Sequence, residues 1–242
     1  MDLFIDTGRE ALRMLFGGDP YLWQVVLLSL RVSGIAVLLG VLIGVPIGTA
    51  VALARFRGRP LLIALIHTGF ALPPVVVGLF VYMMLSRTGP AGGLDLLFTT
   101  PAMVLAQAVL AAPYVAGITL AAVQAVPRDA LMQARALGAT RTRAVLTILR
   151  EARLGIGAAV VAGFGAVISE VGAVMLVGGN IAGKTRVMTT AIVLETRRGN
   201  FATAMALGLL LLAIAFTVNV LITRAQQGRV TWTNARGERP WR

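Results

Sequence analysis

Between Gly178 and Arg186 the chain reads GGNIAGKTR, and Gly178-x-x-x-x-Gly183-Lys184-Thr185 satisfies the phosphate-cradling P-loop pattern letter for letter. That chemistry needs a strand feeding the glycine-rich loop, a helix behind it, and a carboxylate on a second segment to hold magnesium. The run Val174–Val177 fits such a strand, and RVMTTAIVLE after the loop fits such a helix. The carboxylate is what fails. Asp2, Asp6, Asp19, Asp95 and Asp129 all precede the loop, and none ends a four-residue apolar strand. Glu195 does end one, but ten residues past Thr185 the helix of a true P-loop would still be running.

The elements that must position these residues follow from composition. With 57% hydrophobic and 13% charged residues, against roughly 25% charged in soluble domains, the chain is a membrane protein. It has no Cys, which removes disulfide and thiol chemistry. The acidic start MDLFIDTGRE is not followed by a short apolar run with a small-residue cleavage site, so the first span is expected to act as its own insertion signal. A spanning helix needs about 20 largely uncharged residues, and five stretches qualify. Residues 32–54, 60–86, 96–127 and 199–223 carry no charge, and 154–179 carries only Glu170. Pro46, Pro73-Pro74 and Pro113 fall inside spans, where each removes a backbone hydrogen bond and favours a kink. His67, beside Thr68 in an apolar span, reads as a hydrogen-bonded packing residue ahead of a proton relay.

Five spans put the ends on opposite sides and divide the loops into two sets. One holds 14 basic residues against 3 acids and the other 8 against 7, which is +11 and +1 of the net +12. By the positive-inside rule the first set is cytoplasmic, so the N-terminus and the Lys184 segment face outward and the C-terminus inward. The P-loop lookalike then sits where there is essentially no ATP. The basic charge flanks the membrane with few aromatics between, which fits lipid headgroups and not nucleic acid. Residues 1–21 read as an external segment, 22–223 as the membrane domain, and 224–242 as a basic, solvated cytoplasmic tail.

The loop 127–153 is the informative one. Pro127 opens a helix, and Ala130, Ala134 and Leu137 recur on one side with Arg128, Asp129, Gln133 and Arg135 opposite. Gly138 interrupts, and ATRTRAVLTILREAR begins a second helix into the fourth span. The pair makes either a knob projecting from the membrane or an interfacial helix in the headgroups. Met132 to Thr140 resembles a degenerate EAA loop of type I ABC importer permeases, with Ala134, Gly138 and Ile148 matching and Met132, Gln133 and Arg150-Glu151 departing. The segment ISEVGAVMLVGGNIAGKTRVMTTAIVLET, residues 168–196, resembles the molybdate and tungstate permeases, closest to the tungstate branch.

That resemblance covers about residues 22–223. It implies an all-α type I importer permease fold of about five spans and import of an oxyanion, tungstate before molybdate or sulfate. It implies no enzyme activity, cofactor or metal in this chain. Its partners would be two copies of a cytoplasmic ATPase, an external substrate-binding protein, a second copy of the chain and membrane lipid, in a bacterial or archaeal plasma membrane. Arg128, Asp129, Gln133, Ala134, Arg135, Leu137 and Gly138 would form the ATPase-coupling helix. Glu170, Gly178, Gly179, Asn180, Lys184, Thr185 and Arg186 would line the pathway or gate. Glu170 lies 17 residues past Arg153, roughly 25 Å along a helix, near the outer edge of the hydrocarbon core. A carboxylate repels an oxyanion, so its expected role is an ion pair with Lys184 or Arg186, or a helix cap. Lys184 and Arg186 have the sign to attract a dianion, with Asn180, Thr185 and the Gly178-Gly179 amides as donors; beside a membrane they equally serve to solvate or snorkel. A secondary transporter or channel is the rival reading, but ion coupling generally leaves carboxylates at the bilayer centre, and Glu170 is the one acid in any span.

Overall fold

A computed structural model describes residues 2–227, and within them every regular element is a helix. In chain order these are α1 (Asp2–Phe16), α2 (Pro20–Leu53), α3 (Arg59–Thr68), α4 (Pro74–Leu85), α5 (Thr100–Ala125) and α6 (Arg128–Ala136). There follow α7 (Arg141–Glu151), α8 (Arg153–Ile168), α9 (Gly172–Gly178), α10 (Met188–Arg197) and α11 (Phe201–Gln227). Residues 228–242, most of the basic tail, lie outside the described residues.

Three helices, α2, α5 and α11, are each long and apolar enough to cross a membrane, and two bent pairs pass the same test as broken spans. The first pair is α3 with α4, turned by 100°. Its break follows from two consecutive prolines: a residue before proline is pushed to extended backbone, and both Leu72 (ψ 121°) and Pro73 (ψ 121°) are extended. Pro46 and Pro113, in contrast, sit inside the continuous helices α2 and α5. The second pair, α7 with α8, bends by 68° at Ala152.

Two expected boundaries are corrected. The first span begins at Pro20 and not Val32, because the Asp19 carboxylate accepts from Tyr21 N (2.8 Å) and Leu22 N (3.4 Å) and Pro20 occupies the first turn. Arg31 lies on the exposed side of that helix, so a single charge did not end it. The fourth stretch, 154–179, is not one helix. It stops at Ile168 and resumes at Gly172.

The core is built around α5, whose spanning window is 67% buried, against 17% for α11. Gly40, Gly44 and Gly48 form a stripe at i, i+4, i+8 on α2 that lies directly on α5. A Cβ at Gly40 would come 2.8 Å from the Ala111 Cβ, and one at Gly44 2.9 Å from the Ala112 carbonyl oxygen. One at Gly48 would enter the Ala116 carbonyl oxygen. The partners advance together along both helices, so α2 and α5 run parallel, in the close small-residue packing that membranes favour where apolar burial supplies no driving force. From α8, Gly163 meets Val115 and Gly155 meets Ala122, which sets α8 antiparallel to α5. Large apolar side chains such as Leu42, Phe80 and Phe216 are exposed on the outside of the bundle, the surface a lipid-facing protein presents and a soluble one avoids.

Candidate functional site

The gap between α8 and α9 opens backbone groups inside a membrane segment, where each must find a protein partner. Gln107, buried on α5, donates from Nε2 to the Val167 carbonyl at 2.9 Å. The Ser169 hydroxyl donates back to Gly165 O, and Glu170 N reaches Val167 O at 3.2 Å. Thr189 on α10 donates to Glu170 O at 2.7 Å. The buried Glu170 carboxylate accepts from Ala173 N at 2.9 Å, so it caps the start of α9. The alternative ion pair does not form: neither Lys184 nor Arg186 lies within salt-bridge distance of it among the described residues. Since the carboxamide keeps the acceptor, Glu170→Gln is expected to leave thermal stability nearly unchanged. Glu170→Ala strands a buried amide at about 1–3 kcal/mol and is expected to lower the melting temperature measured in detergent. Equal melting points for the two variants would contradict the capping role.

Beyond α9 the chain forms the segment that carries the P-loop letters; α10 follows it as the pattern asks, but the geometry of the loop itself is not that of a phosphate cradle. A helix, α9, precedes it where a strand is required. Gly179 closes that helix in the left-handed region (φ 70°), donating its amide to Met175 O at 3.0 Å. The amides of Lys184, Thr185 and Arg186 all turn inward onto the Ile181 carbonyl. The Thr185 hydroxyl, fully buried, accepts from Ile181 N at 2.9 Å and donates to Gly178 O. Arg186 is braced on Asn180, with Nε 3.2 Å from Oδ1 and a terminal nitrogen 3.3 Å from the Asn180 carbonyl, and lies against the Tyr21 hydroxyl.

The expected donor set is therefore spent in part, although Asn180 is bound to Arg186 only through its oxygens. Gly178 is packed on Met103 and Thr185, while Asn180 and Thr185 bind the loop to itself. Lys184 is the exception. Its side chain is exposed and unpaired among the described residues, while its backbone is held at both groups, the amide on Ile181 O and the carbonyl by Thr100 Oγ1 at 3.2 Å. The segment is also pinned at α10, where Met188 N donates to Ser29 Oγ at 2.7 Å. Gln107, Ser29 and Thr189 are the positioning residues that sequence reasoning missed. A polar residue within an otherwise apolar stretch was their one visible signal.

At the opposite end of the bundle stand α6 and α7. Thr140 caps α7 by accepting from Arg143 N at 3.4 Å. Gly138, in the left-handed region (φ 84°), ends α6, with Gly138 N donating to Arg135 O and Ala139 N to Ala134 O; this paired arrangement calls for glycine. Ala130 and Leu131 pack on the cluster of Val123, Ile148 and Ala152. Leu137 does not join them, as the periodicity had it. It lies past the last helical turn, 89% exposed, with Met132 at 61% beside the exposed Asp129, Gln133 and Arg135. His67, expected to be hydrogen-bonded in packing, is instead exposed on α3 and touches the Phe70 ring edge-on at 5.6 Å.

Apolar helices with broken spans, whose polar side chains hold the interrupted backbone together, define a multi-span membrane protein. The chain belongs to the family of binding-protein-dependent transport system inner membrane components, which it matches over residues 36–230. It is 46% identical over 222 residues to a probable anion ABC transporter permease protein of Haloferax volcanii, covering 90% of this chain and 95% of that one. It is 36% identical over 227 residues to the tungstate uptake system permease protein TupB of Peptoclostridium acidaminophilum, covering 94% and 100%. Among solved structures it resembles a bacterial ABC transporter involved in import of the acidic polysaccharide alginate, with TM-score 0.73, 18% identity, and 90% and 82% of the two chains covered. The chain is thus a multi-pass importer permease for an oxyanion, and not itself an enzyme.

Proposed function

We propose that the chain is the membrane-spanning subunit of an ATP-driven tungstate importer. The observation that carries the substrate is the end-to-end likeness to the anion and tungstate permeases; molybdate is the second reading, from 35% identity over 182 residues to the molybdenum permease ModB of Escherichia coli. Orientation follows from the +11 and +1 charge partition: α6 and α7 are cytoplasmic, and the 179–187 segment lies at the outer face of the bacterial or archaeal plasma membrane.

Two permease copies stand over two ATPase subunits, and an external binding protein delivers the anion. The α6 segment docks on the ATPase through the exposed Asp129 and Gln133 and through Leu137 just past its end, with Arg128 at its start. ATP draws the two α6 helices together and turns the pathway from inward to outward facing, a two-state change biased by nucleotide. The chain contributes no bond-breaking step. Glu170 holds α9 on α8 near the outer mouth, and Asn180 and Arg186 shape that mouth.

The test is tungstate and molybdate uptake by elemental mass spectrometry in cells lacking the chain, restored by wild type or by Lys184→Ala. Loss of tungstate uptake on deletion is expected, with recovery within about twofold in both rescued strains, because Lys184 adds only screened surface charge. Failure of Lys184→Ala alone would make Lys184 a pathway residue. No response of either anion to deletion would refute the substrate.

A further inference from the structure

On the α6–α7 side of the bundle a cleft of about 490 Å³ lies between α2, α6 and α7, within the ~300–1,000 Å³ range of ligand sites. Its walls are apolar, formed by Val45, Pro46, Leu131, Val145 and Leu149. Arg135 and Arg141, one on each side of the Gly138 turn, line it too, exposed and with guanidinium groups that make no hydrogen bond or ion pair among the described residues. Thr49 also lines it, with a buried hydroxyl that has no hydrogen-bond partner. The wall contributed by α2 is its last turns, the part of a spanning helix that meets the headgroup layer.

We propose that this cleft binds one anionic phospholipid, with the phosphate diester between Arg135 and Arg141 and an acyl chain along Val45 and Pro46. The combination selects the ligand. A free oxyanion would satisfy the arginines but not the apolar walls, and a neutral lipid would do the reverse. No acidic side chain lines the cleft to compete for the guanidinium groups. Thr49 adds a hydroxyl on the same wall that is otherwise buried and unsatisfied, at a cost a lipid ester oxygen would relieve by accepting from it. Because Arg135 belongs to α6 and Val45 and Pro46 to α2, the lipid ties the projecting helix to the span beside it. The site does not depend on which anion is transported.

Each arginine near an anionic surface contributes about fivefold in affinity, so the pair contributes on the order of thirtyfold. The test uses the full transporter with its ATPase, reconstituted with phosphatidylglycerol or phosphatidylcholine carrying a photoreactive group on one acyl chain. Crosslinked peptides are then mapped by mass spectrometry. Crosslinks to 45–53 and 145–149 are expected with phosphatidylglycerol, weakly with phosphatidylcholine, and reduced by about tenfold or more in Arg135→Gln/Arg141→Gln. The control Arg57→Gln/Arg143→Gln removes the same charge outside the cleft and is expected to leave them intact. Equal labelling by both lipids, equal loss in both double variants, or labelling that appears only when the ATPase is removed would overturn the proposal; the last result would assign the cleft to the ATPase.

Discussion

Gly48→Leu is expected to prevent accumulation of folded protein in the membrane. A Cβ at this position enters the Ala116 carbonyl and stands 3.0 Å from Leu120 N and the Thr119 Cβ. Two of these three atoms are backbone, so no side-chain rotation relieves the overlap and α2 must lift away from α5. Overpacking a core costs typically 1–3 kcal/mol, and here the extra atoms also separate a whole helix pair, which places the cost at about 3 kcal/mol or more. Gly34, on the same helix with nothing within 4 Å of its Cβ position, is the internal control: Gly34→Leu is expected to fold. Comparable fluorescence-detected size-exclusion profiles for the two variants would show that the stripe is not a packing seam.

Leu137→Asp is expected to do the opposite, leaving the fold intact and abolishing transport. The side chain is 89% exposed at the end of α6, beyond the last helical turn and clear of the cluster that anchors Ala130 and Leu131. Removing it therefore takes nothing from the core. If that leucine is buried against the ATPase, its burial stabilises the complex by about 1.5–3 kcal/mol, and an aspartate there loses this and adds a desolvated charge. ATPase affinity is then expected to fall by roughly thirtyfold or more, read by co-purification and by loss of substrate-stimulated ATP hydrolysis. Full activity with Asp at this position would place the ATPase contact elsewhere.

Much of this was legible in the chain itself, because lipid imposes simple rules. The apolar stretches around α2, α5 and α11 emerged from charge exclusion alone, and the α3–α4 break from Pro73-Pro74. The break at residues 169–171 was not legible. Its apolar run contains no proline, and the helix stops there because Gln107 and Thr189, which are 60 and 19 residues from their partners, take up the exposed carbonyls. The helix α1 was likewise hidden in a charged segment. It folds because its apolar side, with Ala11 fully buried, packs in a cluster with Leu207 of α11. For the 179–187 segment the letters suggested free amides, whereas the Ile181 carbonyl and the Thr185 hydroxyl gather them inward. That arrangement depends on left-handed backbone at Gly179, Asn180 and Gly183, which composition alone does not reveal. Leu137 was misassigned because helical periodicity was carried one residue past the point where Gly138 ends the turn.

The most direct test of the account is anion accumulation in proteoliposomes holding the permease, its ATPase and the external binding protein. With ATP supplied to the ATPase side, tungstate is expected to accumulate against its gradient, molybdate more weakly, and neither without ATP. Accumulation driven by an imposed proton or sodium gradient in the absence of ATP would contradict it and make the chain a secondary transporter.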